Sequence, residues 1–406
     1  MESVAKPANS GCANARSLGS DFSVVRESPF FRLQTALGLT RGQRAGVGRR
    51  AVIYALLAWL PIAIYAVTHG ALLYETASGE PLLWHYGIQV RALVAIPILI
   101  LAEGTVEKSI RSVVGQFSES GIVDGTQAEP YRCALEEARQ ISNSLAAQVV
   151  LIVVTGTGVF FGYGTSMLVG ESIPWLLLAQ NGGQSLTFAG WWYVLVLLPL
   201  FSFLALQWLW RWVVWAIFLR RVSKLKLKLV PTHSDRCGGL LFLQTAPAAF
   251  AGLIFALAAV LASEWGHEVQ FHGVDIYSFK SLLIGFALII MVIFVGPLLA
   301  FSGCLLRTKR QALREYSVLV ARQGRLFQRR WIEDKRSDDE LGGTRDVGTL
   351  AGLRNSFEVI SHMRLVPVDR TLLITLAWSV ILPMLPVIAL KLPIEDVLRK
   401  LAKTLL

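Results

Sequence analysis

Seven stretches of this chain stay apolar for about 17 to 25 residues, long enough for a helix to cross a membrane, and this limits the fold more than any other feature. They run over residues 51 to 69, 82 to 103, 146 to 169, 191 to 213, 240 to 263, 281 to 304 and 371 to 392. A helix rising 1.5 Å per residue crosses a hydrocarbon core of about 30 Å in about 20 residues. In lipid, only helices and closed barrels satisfy their own backbone groups, and these stretches lack the period-two alternation of barrel strands. Only 17 % of the residues are charged, against about 25 % in a soluble domain. The expected fold is all-α: a polytopic helical membrane bundle of about seven spans.

The basic residues predict an orientation. Residues 1 to 50 carry 8 Lys and Arg, 104 to 145 carry 4, 214 to 239 carry 6, and 305 to 370 carry 14. The intervening loops hold only Lys280. Basic loops stay on the cytoplasmic side, so the N-terminus is expected inside, in a plasma membrane. The basic tail, with Lys391, Arg399, Lys400 and Lys403, fits that pattern poorly, and a re-entrant last segment broken at Pro383 and Pro386 repairs it. The net charge of +11 flanks the membrane and is not interleaved with a nucleic-acid-reading motif. The expected partners are the lipid bilayer and anionic lipid head groups, with no nucleic acid. The cysteines at 12, 133, 237 and 304 fall on or near the side read as cytoplasmic, so no disulfide framework is expected.

Helical patterning continues past the spans. Val106, Ile110, Val113 and Phe117, then Tyr131, Leu135, Ala138, Ile141 and Leu145, recur at helical spacing on either side of the turn "SESGIVDG". Leu313, Tyr316, Val320, Phe327 and Trp331 mark a stripe on a basic extension of the sixth span, and Leu350, Leu353, Phe357 and Ile360 mark a further helix. These insertions, at 104–145 and 305–370, predict long helices extending into a cytoplasmic helical layer. The organisation is a disordered tail over 1–25, a bundle over 26–393 and an amphipathic interfacial C-terminal helix over 394–406.

The densest chemistry lies in "PTHSDRCGGLLF", residues 231 to 242. One reading is a boundary corner: Pro231 ends the preceding segment, Ser234 or Asp235 caps the next helix, Arg236 meets phosphate head groups, and Gly238 with Gly239 permit close helix packing. The other makes His233, Asp235, Arg236, Gly238 and Gly239 a ligand or gating corner at a pore mouth. His233, Asp235 and Cys237 are metal-ligand types, but their spacing converges only on an extended strand, and no metal site is assigned.

This stretch, with "LRNSFEVISHMR" and "LPIEDVLRKLAKTLL", resembles an uncharacterised family of bacterial multi-pass inner-membrane proteins with a His-Pro-Asp-Arg-Ala-Gly-Gly-Leu motif. The chain departs from it at Ser234 and Cys237. The resemblance implies a location and no activity.

Arg91 lies about 18 Å inside its span if Glu103 marks the inner edge. It either snorkels outward past His85 and Trp84 or lines a water-filled path and attracts anions. Arg211, among Trp208, Trp210, Trp212 and Trp215, reads as an anchor in an aromatic belt. Gly158 and Gly162 in the third span, and Ala248, Gly252 and Ala256 in the fifth, are expected to let helices approach or to act as hinges. Pro97, Pro199, Pro247 and Pro297 predict kinks. In the outer loop, His267 and His272 are spaced one residue too far apart for a His-Glu-x-x-His zinc helix. No phosphate loop, nucleophile elbow or Cys-x-x-Cys pair is present; no cofactor or catalytic residue is assigned.

The functional expectation is a passive channel or transport protein, oligomeric or not, with an anion bias from Arg91. Its rival is a membrane-anchored scaffold or sensor that binds a cytoplasmic protein partner through its basic helices.

Overall fold

A computed structural model of the chain describes residue 23 and residues 29–36, 45–72, 81–169, 177–180, 183–333 and 345–389. Among the described residues, seven helices are long and apolar enough to cross a membrane: Gly46–Thr68, Tyr86–Glu119, Leu145–Gly162, Phe188–Val222, Leu241–Phe271, Ile276–Phe327 and Arg370–Ala389, the first to seventh spans. The protein is an all-α, multi-pass membrane bundle. A small antiparallel hairpin follows the third span, pairing Leu177–Gln180 with Gly183–Leu186. Val52, Val149, Phe160, Leu288 and Val292 are each more than half exposed, an outward apolar surface that suits acyl chains and not water.

The fifth span lies at the centre. Half of its most apolar window is buried, against 17 % for the third and sixth, which lie at the outside. It packs on the second and seventh spans, while the first packs on the second and the third on the fourth. The fourth meets the sixth where the latter tightens at Gly296–Phe301.

Pro97, Pro199, Pro247 and Pro297 each coincide with a change of helix type, for a steric reason, whereas Pro61, Pro383 and Pro386 lie within continuous α-helix. A proline ring clashes with the carbonyl four residues earlier and offers no N–H to it. Before Pro97 the second span widens into a π-turn over Val90–Ala95, in which the Ile96 N–H reaches back five residues to the Arg91 carbonyl. Before Pro199 the fourth does the same over Tyr193–Leu197, with the Leu198 N–H bonded to the Tyr193 carbonyl. Pro297 lies in the tight Gly296–Phe301 turn, and the helix Thr245–Ala249 carrying Pro247 ends at Phe250.

The spans continue into a helical layer at the basic end of the bundle. The second span runs to Glu119, turns, and returns as Ala128–Ser142, which packs on the fourth. Val106, Ile110, Val113, Phe117, Tyr131, Leu135 and Ala138 are all buried there, and the Tyr131 hydroxyl donates to the Val114 carbonyl at 2.9 Å. Leu145 departs from the expected stripe and is 71 % exposed, because the helix stops at Ser142 and restarts at Leu145 with a new rotation. Beyond the sixth span, the helix Arg345–Ser361 folds back on Ser302–Phe327. Leu350, Leu353 and Phe357 are half-buried and Ile360 is buried.

The re-entrant expectation for the last span needs correction. Pro383 and Pro386 lie inside the continuous helix Arg370–Ala389, whose 20 residues suffice for a crossing. Of the tail over 1–25 only Ser23, which is buried, is described, and the C-terminal helix over 394–406 lies outside the described residues.

Candidate functional site

The corner at 231 to 242 is organised by one carboxylate. Asp235 Oδ1 accepts from the N–H groups of Cys237 at 2.8 Å and Gly239 at 3.1 Å, and Oδ2 accepts from Leu241 at 3.1 Å. His233 Nδ1 lies 3.0 Å from Oδ1. Burial alone pushes the Asp235 carboxyl up, but these N–H groups and the imidazole outweigh it and hold it below the usual range. The corner is therefore a cap for the fifth span, and Asp235, not Ser234, does the capping.

The two glycines have a different role from the expected close helix packing. Gly238 and Gly239 have φ of 64° and 92°, the left-handed region that a side chain resists, and Arg236 shares it at 55°. A Cβ on Gly238 meets Met363 Cε at 3.2 Å and Leu229 Cβ at 3.3 Å. The Arg236 carbonyl accepts from the Arg364 N–H at 2.7 Å, and Lys309 Nζ donates to the Met363 carbonyl at 2.8 Å. The corner is thus a junction of the fifth, sixth and seventh spans. Cys237 is buried and its thiol is pushed up to about 11, so it offers no thiolate at neutral pH. Among the described residues, no three His, Cys, Asp or Glu side chains converge.

The aromatic-belt reading of Arg211 also needs correction, since only 2 % of the residue is exposed. Its Nη2 lies 3.0 Å from Glu103 Oε1, while Arg50 Nη2 lies 2.8 Å from Glu103 Oε2. Arg50 also donates to Gln34 Oε1 at 2.5 Å, and Gln34 donates to the Tyr54 hydroxyl at 3.1 Å. One carboxylate thus ties the first, second and fourth spans to the short helix Pro29–Ala36. Two of the tryptophans are inter-helix ties: Trp208 Nε1 donates to the Leu99 carbonyl and Trp212 Nε1 to that of Ile293, both at 3.0 Å. Sequence reading missed Arg50 and Glu103 as partners. The available signal was two charged residues just within or beside apolar runs, with a third inside one.

Arg91 lies on the π-turn at the opposite end of the bundle and faces protein. Its Nη1 is 2.8 Å from Glu264 Oε1, with the Arg side chain 17 % and the Glu side chain 49 % exposed. Gly87 makes the room, because a Cβ there meets the Glu264 carboxylate at 2.3 Å. Neither sequence reading of Arg91, snorkelling or a free anion attractor, describes this pair. Beside it His85 stacks on His267 at 5.1 Å, and His272 Nδ1 lies 3.4 Å from Glu268 Oε2.

Burial, reinforced by the charge on His267, pushes His85 down to about 4. The folded state therefore takes up its proton less readily than the unfolded state, whose histidine titrates near 6.5. His85 leaves stability intact above about pH 6.5 and lowers it as the pH falls from there toward 4, by up to about 3 kcal/mol. Thermal midpoints in detergent between pH 7.5 and 4.5 are expected to fall less in His85→Gln than in the wild type. Parallel curves contradict this.

The small-residue sets divide. Ala256 is fully buried, Ala248 is half-buried, and Gly252 packs against the second span, where a Cβ meets Ala102 Cβ at 3.5 Å. Gly158 and Gly162 are exposed, and a Cβ on either meets nothing within 4 Å. Among the described residues, the packing expectation thus has no counterpart at Gly158.

Among the described residues, a cleft of about 1390 Å3 lies between the fourth and sixth spans. Val213, Ala216 and Ile217 line one wall, and Ile293, Pro297 and Ala300 the other. Its basic end carries Arg220, Lys224, Lys226 and Arg307 beside the neutral donors Ser223, Thr308 and Gln311. Arg220 and Arg307 are exposed, as are both lysines, and none of the four has an acidic partner within 4.0 Å among the described residues. The rim is held from outside: the Lys226 N–H donates to Gln127 Oε1 at 3.3 Å, and Lys228 Nζ pairs with Asp124 Oδ2 at 2.8 Å. The hydrogen bonds from Lys228 and Thr126 hold the Asp124 carboxyl down at about 2, so this tether stays charged across the physiological range.

Comparison of the chain with protein-family models, curated proteins and solved structures found no match.

Proposed function

We propose that this multi-pass membrane protein draws an anionic amphiphile from the bilayer into the cleft between its fourth and sixth spans, for transport or presentation at the basic end. The observation that carries the reading is the pairing of apolar walls with a rim of four cations that lack acidic partners among the described residues. Acyl chains suit the walls, and a phosphate-bearing head group suits the rim. Basic pockets between spans favour such head groups on the cytoplasmic side. That side is read from the basic loops, and the bacterial inner membrane from the family resemblance. The anion bias assigned to Arg91 moves to this rim, because Arg91 is occupied by Glu264. A passive anion pore thereby loses the free cation that recommended it.

Cys304 lines the cleft and is half-buried, which makes it a local probe. With the cysteines at 12 and 133 replaced by serine, a fluorophore on Cys304 in liposomes is expected to shift with rising phosphatidylglycerol and not with phosphatidylcholine. The Arg220→Gln, Arg307→Gln pair should lose this preference by about tenfold or more. Equal response to both lipids contradicts the reading.

The scaffold alternative has one observation in its favour. Val318, Leu319 and Leu326 are exposed on the sixth helix beyond the membrane-length part, interleaved with Arg322 and Arg325. Cross-linking from this surface that recovers only lipid counts against it.

A further inference from the structure

We infer that the amphiphile held in the cleft is a lipid whose head group carries two phosphate groups, an inference that rests on the cleft reading above. A single phosphodiester brings one negative charge. Placed among Arg220, Lys224, Lys226 and Arg307, it leaves three positive charges unbalanced on the cleft, whose lining among the described residues includes no carboxylate. The two ion pairs of this rim segment that involve acids leave these four cations out: Arg221 pairs with Glu137, and Lys228 with Asp124. Two phosphates bring about two to three negative charges at neutral pH and many more acceptor oxygens.

The donor supply matches. Two guanidiniums can each chelate a phosphate through paired N–H groups, the two ammonium groups act as point charges, and Ser223, Thr308 and Gln311 add neutral donors. Two helices share the set: Arg220 and Lys224 stand four residues apart at the end of the fourth span, with Lys226 just beyond, and Arg307 faces them from the sixth. Cations gathered on one cleft from two helices differ from the scattered snorkelling residues that any cytoplasmic surface carries. The apolar walls argue for a lipid and against a free diphosphate, since Val213, Ile217, Ile293 and Pro297 give a soluble anion nothing to bind.

The test uses the full-length protein in phosphatidylcholine nanodiscs with the Cys304 fluorophore, titrated with cardiolipin, a long-chain prenyl diphosphate, phosphatidylglycerol or soluble inorganic diphosphate. At least one two-phosphate lipid is expected to bind about tenfold or more tightly than phosphatidylglycerol. Each single neutralisation (Arg220→Gln, Lys224→Gln, Lys226→Gln, Arg307→Gln) should weaken it about fivefold. All four residues are exposed, so the fold should survive. Lys280→Gln, at the opposite end, should leave binding unchanged. Equal affinity for phosphatidylglycerol overturns the two-phosphate inference and leaves the cleft reading standing. No response to any anionic lipid overturns both. Inorganic diphosphate binding as tightly as the lipids overturns the lipid assignment.

Discussion

Replacing Glu103 by glutamine is expected to destabilise the fold by about 3–5 kcal/mol, the cost of removing one member of a buried ion network. Two guanidiniums, each about 3 % exposed, share that carboxylate. Without it, Arg50 and Arg211 remain as like charges in a medium that solvates neither. Among the described residues the Nε atoms of both are already buried without a hydrogen-bond partner, and the one further side-chain acceptor is the neutral amide of Gln34, which takes a hydrogen bond from Arg50 and cannot balance its charge. Thermal or SDS-induced unfolding in detergent measures the loss. The triple variant Arg50→Met, Glu103→Leu, Arg211→Met separates charge from packing, since replacing a whole buried ion set with apolar residues is often neutral or stabilising. Near-wild-type stability is expected for the triple variant. An unchanged midpoint in Glu103→Gln refutes the structural weight given to this network.

The second large effect is expected at Asp235. Alanine there removes the acceptor from three backbone N–H groups in a turn that already holds Arg236 in the left-handed region. Hydrogen bonds to a charged group are worth about 1.5–3 kcal/mol each, and partial rescue by water brings the expected loss to about 3 kcal/mol. Asparagine keeps one acceptor oxygen and should fall between. The local readout is Cys237, which is fully buried against the segment leading to the seventh span, with its Sγ 3.8 Å from the Val366 carbonyl. With cysteines 12, 133 and 304 replaced by serine, maleimide labelling of Cys237 is expected to accelerate about tenfold or more in Asp235→Ala, a tenfold change being about 1.4 kcal/mol of local opening. Gly238→Ala should act in the same direction, since its Cβ meets Met363 and Leu229. A thiol that stays protected in both variants shows that the turn holds without its carboxylate.

Much of the architecture was legible because its cause is local. The apolar runs and the helices Gly46–Thr68, Leu241–Phe271 and Arg370–Ala389 coincide to within a few residues at most ends, since hydropathy and length decide a crossing. The stripe from Val106 to Phe117 was legible for the same reason: helical periodicity records a buried face. The candidate site was only partly legible. His233, Asp235, Arg236, Gly238 and Gly239 stood out as a cluster, but whether Asp235 was a ligand or a cap depended on the N–H groups the turn directs toward it. The rim cations read simply as cytoplasmic flanks, because nothing in sequence says that Arg307 faces Arg220.

The sequence by itself determined that this chain is a multi-pass helical membrane protein with one basic end, because apolar runs without strand alternation can satisfy their backbone hydrogen bonds in lipid only as helices. Only the tertiary structure decided where the charges go. Arg91 to Glu264, and Arg50 and Arg211 to Glu103, are partnerships across 173, 53 and 108 residues of chain. A charge inside a bundle takes whichever opposite charge the packing brings within reach, and packing is set by the shapes of whole helices and not by neighbours in sequence.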